Sequence, residues 1–142
     1  MNETNIIFDA NAPMTSNGGG LRGYLFVHPP HFDEEDARRY GYTGADPSWT
    51  FENVLARLNR IANQVIFDDG NFDKSSFTAN GTYKGEFFNL YDYKGDKSIH
   101  VGGGDKLDVQ GLVSELKVLI NKAEPKPFNC ICSYTHRKYS YP

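Results

Sequence analysis

The stretch SSFTANGTYKGEFFNLYDYKGDKSIHV, residues 75–101, decides the fold class. β-Branched and aromatic residues dominate it, interrupted by short turn signals, which is the pattern of strands joined by tight reversals. Asn80-Gly81 is the strongest hairpin signal in the chain, because both residue types accept the positive φ of a type I′ turn. It predicts a reversal between residues 75–79 and a strand that begins at Thr82. Lys84-Gly85 then reads as a bulge or second turn, and residues 86–93 as a strand. Lys94-Gly95-Asp96 turns the chain into residues 97–101. The outcome is an antiparallel meander.

Two helical stripes flank this meander. Phe51, Val54, Leu55, Leu58, Ile61, Ala62 and Val65 follow helical spacing and form one apolar face, entered through Asp46-Pro47-Ser48. Val109, Leu112, Val113, Leu116, Leu119 and Ile120 repeat the pattern, with Asp108 as N-cap and Pro125 and Pro127 beyond the end. Residues 32–41 predict a short, solvated helix, because its acids precede its arginines and complement the helix dipole. Residues 21–28 and 129–135 are the remaining strand candidates. The fold class is therefore α+β: a mainly antiparallel sheet of about four to five strands with two amphipathic helices packed on it. We expect a flexible N-terminal arm over residues 1–20, one globular domain over 21–136, and a basic, aromatic C-terminal tail over 137–142.

Composition narrows the function classes. The chain has 142 residues, a net charge of −3, 39% hydrophobic and 14% aromatic residues. These values fit a single globular domain and exclude collagen, coiled coil and wholesale disorder. No apolar run approaches the ~18 residues of a membrane-spanning helix. The first residues have no basic stretch followed by an apolar core, and the two cysteines stand in Cys130-Ile131-Cys132. In a strand these two side chains share a face and bond only with distortion. A reducing, cytoplasmic setting without disulfides is the expectation. Charge is uneven. Residues 1–73 carry 5 basic and 11 acidic side chains, and residues 74–142 carry 10 basic and 7 acidic. The overall acidity argues against generic nucleic-acid binding.

Several groups of residues bear on chemistry. His100, Gly102, Gly103, Gly104 and Lys106 lie between a strand and a helix, where exposed amides and two donors would suit a nucleotide or other phosphate ligand. Arg57 and Arg60 on the polar face of the first stripe would add anion-binding charge. The bend matches neither of the standard glycine-rich nucleotide motifs. His28, His31 and Asp33 are metal-type ligands, but no further pair completes a zinc set, so no metal or other cofactor is expected, and a metal-dependent hydrolase is the weakest reading. Tyr83, Phe87, Tyr91 and Tyr93 alternate along the meander and would form an aromatic platform if uncovered. Tyr134, Arg137, Lys138, Tyr139 and Tyr141 mix cations with rings. Leu90-Tyr91-Asp92-Tyr93 and the later Gly104-Asp105 resemble the opening of an SH3 domain; that family's tandem tryptophans have no counterpart and the residues after Val109 read as helix, so no site is carried over. No nucleophile elbow or isolated acid–base pair supports an enzyme. The leading expectation is a small non-enzymatic protein-binding molecule, an inhibitor or adaptor of the kind phages and viruses supply, with a protein partner and room for oligomerisation. The alternative is a phosphate-ligand binder built on Gly102–Gly104.

Overall fold

The computed structural model describes residues 5–11, 20–26, 50–63, 65–68 and 74–142. Its elements are β1 (Ile6–Phe8), β2 (Gly20–Phe26), α1 (Phe51–Ala62), β3 (Ile66–Phe67), β4 (Phe77–Tyr83), β5 (Glu86–Tyr91), β6 (Ile99–Gly103), α2 (Val109–Lys122), β7 (Phe128–Ile131) and β8 (Lys138–Tyr141). A six-stranded sheet has the order β1-β4-β5-β6-β2, with β3 also on β4; β7 and β8 form a separate hairpin. Among the described residues all pairings are antiparallel. The α+β class stands, with β4-β5-β6 as the meander. Among the described residues no helix is long and apolar enough to cross a membrane.

The reversal at Asn80-Gly81 is corrected. Both residues lie inside β4, opposite Asn89 and Phe88 of β5. The chain turns instead at Lys84-Gly85, where φ is 51° and 84°. Two neighbouring positive φ values are what a type I′ hairpin turn needs, and glycine supplies one of them without steric cost. Gly81 serves a different purpose. A methyl there would overlap the carbonyl oxygen of Ile7, so the missing side chain lets β1 lie close on β4. Asn80 is buried, and its amide oxygen accepts from Thr78 Oγ1 at 2.8 Å and Asn89 Nδ2 at 2.7 Å. A turn dipeptide is thus absorbed into a strand because one member fills a polar pocket and the other fits under a crossing backbone. Two segments read as arm and tail supply strands: Ile6–Phe8 pairs with β4, and Lys138–Tyr141 pairs with β7.

Register separates two sheet faces. Cross-strand partners share a face and alternate residues change face. Ala79, Leu90 and Val101 form one row, and Phe8, Gly81, Phe88 and Gly103 the next. This face joins the buried sides of both helices in one core: Phe51, Val54, Leu55 and Leu58 from α1, and Leu112, Leu116 and Ile120 from α2. Both helices therefore cover the same face. Thr50 caps α1, its Oγ1 accepting from Asn53 N at 3.1 Å, and Asn63 ends it with φ 50°. The expected entry at Asp46-Pro47-Ser48 lies outside the described residues, as do the helix expected over 32–41 and the His28, His31 and Asp33 group. Asp108 caps α2 as expected, accepting from Gly111 N at 3.1 Å. The β7-β8 hairpin closes the open end of α1, with Tyr139 edge-on to Phe51 at 5.5 Å and Phe128 stacked on Phe67 at 5.2 Å.

Gly81→Ala should lower unfolding free energy by about 2 kcal/mol, because β1 must shift away from the new methyl. Gly85→Ala should lose about 1 kcal/mol through its left-handed backbone. Urea titration measures both; a Gly81→Ala protein as stable as wild type would contradict the close seating of β1.

Candidate functional site

The second sheet face has a different chemistry. Ile66, Thr78, Tyr91, His100 and Tyr24 form one row across five strands. Asn80, Asn89 and Gly102 form the next, and Ile7, Thr82 and Phe87 the third. Thr78, Asn80, Asn89 and His100 are buried, so this face carries a polar core in which Thr78 and Asn89 donate to Asn80 and His100 pairs with Asp96. Ile7, Phe87 and Ile66, 64%, 44% and 38% exposed, are accessible apolar side chains of these rows.

His100 is the centre of the first row. Its ring stacks on Tyr91 at 5.3 Å with planes 13° apart, and Tyr24 and Tyr93 approach at 5.0 and 6.3 Å. Nε2 of His100 lies 2.6 Å from Asp96 Oδ2. The other oxygen of Asp96 accepts from the backbone N–H of Tyr93 at 3.2 Å and of Ser98 at 3.1 Å. One carboxylate thus closes the β5–β6 turn and ties it to the sheet through the imidazole. The turn keeps its shape with Lys94, Gly95 and Lys97 all at positive φ.

The sequence-predicted residues do not form one site. Gly102 and Gly103 belong to β6 and pair with both β5 and β2, so their backbone is part of the ladder rather than of a phosphate-binding loop. A side chain at Gly103 would meet Leu107 at 2.5 Å and the carbonyl oxygen of Phe87 at 2.9 Å. Its carbonyl also accepts from Arg22 Nε at 3.0 Å. Gly104 and Lys106 lie in the following turn, where Lys106 is exposed. Arg57 and Arg60 stand on α1, across the sheet from His100. Arg57 Nη1 donates to the carbonyls of Ile120 at 3.2 Å and Asn121 at 3.5 Å, and Arg60 Nε to Glu124 O at 3.4 Å. A cation at the C-terminal carbonyls of α2 complements that helix's dipole and joins the helices. Of the four alternating aromatics, Phe87 and Tyr91 share the second face, while Tyr83 is buried in the helix-covered core. Among the described residues no three His, Cys, Asp or Glu gather as a metal site.

Three residues missed by sequence reasoning organise this region. Asp96 looks from the sequence like a turn residue alone, although its place four before His100 allows the pair. Tyr24 meets His100 through strand pairing, which local sequence does not report. Asp92 is wholly buried at the end of β5; its carboxylate accepts from Ser76 N at 2.6 Å, from Ser76 Oγ, and from Phe77 N at 3.4 Å. Burial pushes its pKa above the ordinary range and nearby Asp96 adds to this, while the Ser76 and Phe77 hydrogen bonds pull it down. Cys130 and Cys132 are unbonded and buried, and the Cys130 thiol is pushed up to about 12 by burial, with Asp92, Asp68 and Cys132 adding to the shift. A thiol of this kind is a packing group rather than a nucleophile.

No family model, curated protein or solved structure gives a significant match to this chain.

Two outcomes test these assignments. Arg57→Ala should lower unfolding free energy by about 1–2 kcal/mol, because it frees the α2 carbonyls; an unchanged denaturation midpoint would contradict that role. Asp92 holds its proton more tightly folded than unfolded, so its contribution to stability is complete below the unfolded pKa and falls as pH rises through the raised folded value. Wild type should therefore lose stability relative to Asp92→Asn as pH rises from about 4. A difference that does not vary with pH, followed by urea titration across that range, would contradict the raised pKa.

Proposed function

We propose that this chain is a small non-enzymatic protein-binding domain that acts as an adaptor or inhibitor through surface complementarity. The supporting observation is a stack of three exposed side chains. The Lys94 ammonium lies 5.2 Å from the Tyr93 ring centre and 5.8 Å from that of Tyr134, and the rings are 41% and 48% exposed. Large rings with a polar tip bury much area at little entropic cost, and tyrosine is enriched among residues that dominate binding energy.

The base beneath this stack is tied down. Asp96 holds the Tyr93 side, and Lys94 N donates to Lys74 O at 2.6 Å. On the Tyr134 side, Ser133 N donates to Asp68 Oδ2 at 2.6 Å, and His136 N to Cys132 O at 2.7 Å. A surface ordered before binding loses less freedom on contact. The unbonded thiols of Cys130 and Cys132 suit a reducing, cytoplasmic setting.

Immobilised wild-type protein should retain a stoichiometric partner from lysate of its own source, and the Tyr93→Ser/Tyr134→Ser protein should not. Equal recovery by both proteins, or no stoichiometric partner on wild type, would overturn this function.

A further inference from the structure

The corner that carries Tyr93 and Tyr134 also has a definite charge. It forms where two turns meet, one spanning residues 93–96 and the other 132–137. They touch closely enough that a methyl on Gly95 would run into the Thr135 side chain. Lys94 bridges them, and Lys74 lies beside it through the backbone bond to Lys94 N. Arg137 ends the second turn and Lys138 begins β8, and all four cations are exposed.

Among the described residues, the acids nearby are hydrogen-bonded or paired. Asp96 binds His100 and two backbone amides, and Asp92 binds Ser76 and Phe77. Asp68 accepts from Ser133 N, and Glu52 pairs with Lys97 at 3.3 Å. Among the described residues, Lys74, Lys94, Arg137 and Lys138 take part in no ion pair. Among the described residues, the corner sets these four cations against the carboxylates of Asp68, Asp92 and Asp96, a net positive charge on a chain of net charge −3.

We infer that this corner receives an acidic segment of a partner protein, with carboxylates on Lys94, Lys74 and Arg137 and the chain lying against the Tyr93 and Tyr134 rings. This deepens the protein-binding function and rests on it. A short acidic segment meets only the local field, which extends about 8–10 Å at physiological salt. A long polyanion would extend past this corner over a chain of net charge −3, so the charge balance favours a peptide over nucleic acid.

The test is fluorescence anisotropy with fluorescein-labelled oligoglutamate and oligothymidylate. The variants are Lys94→Asn, chosen because asparagine tolerates the left-handed φ of 53° at this position, and Tyr134→Ala. Both sites are exposed, so melting temperatures should stay at the wild-type value. Oligoglutamate should bind saturably, more weakly as salt rises, and about tenfold more weakly to each variant. Oligothymidylate should bind less tightly than oligoglutamate. Absence of saturable oligoglutamate binding, binding unchanged by Lys94→Asn, or tighter binding of oligothymidylate would each overturn the inference. If a partner is retained through Tyr93 and Tyr134 but oligoglutamate neither binds nor competes, the acidic chemistry is wrong and protein binding stands. If no partner is retained, both fall.

Discussion

A single buried amide contact sets the register on which the rest of the structure depends. Asn89 donates to Asn80 across the β4–β5 pair at 2.7 Å, and Thr78 donates to the same oxygen. Both asparagines are buried, so neither can exchange this bond for water at low cost. A slip of one residue would break the bond and carry Phe88 and Leu90 to the polar face. With the register held, Ala79, Leu90 and Val101 face the helices, while Thr78, Tyr91 and His100 face the other way. The two sheet faces and the surface at the end of β5 all follow from that alignment.

Periodicity revealed the elements whose stability comes from burying a stripe. Both helices lie on their apolar stripes, because a side chain every three or four residues buries one face against a sheet, but α1 stops at Ala62, where Asn63 turns left-handed, and leaves Val65 at the end of its predicted stripe outside the helix. The meander was legible for the same reason. Turn chemistry was less dependable. Asn80-Gly81 is a strong local signal, but tertiary demands used its two properties separately, the small polar side chain for a buried bond and the missing side chain for close approach of β1. The reversal passed to Lys84-Gly85, where lysine accepts a left-handed backbone in an exposed loop. Strand β1 was illegible because three residues carry too little pattern to compete with the glycines that follow them.

The functional residues were less readable than the fold. His100 was singled out for its position before the glycines, but its surroundings come from β2, β5 and the turn, brought together by pairing. Charge alone makes Arg57 and Arg60 resemble anion-binding residues; their reach to carbonyls at the end of α2 and just beyond it depends on how two helices pack, which no helical wheel reports. The tyrosines and cations of residues 134–138 were visible as a mixture of types. Their joining to Tyr93 and Lys94 needed the contact between two turns that are far apart in sequence.

The most direct test of this architecture is a set of cross-strand nuclear Overhauser contacts between residues 78 and 91. We expect contacts joining Thr82 to Phe87, Asn80 to Asn89 and Thr78 to Tyr91, the pairs that a reversal at Lys84-Gly85 creates. Contacts joining Ala79 to Thr82, with those pairs missing, would place the turn at Asn80-Gly81 and contradict the register, the two sheet faces and the proposed binding surface together.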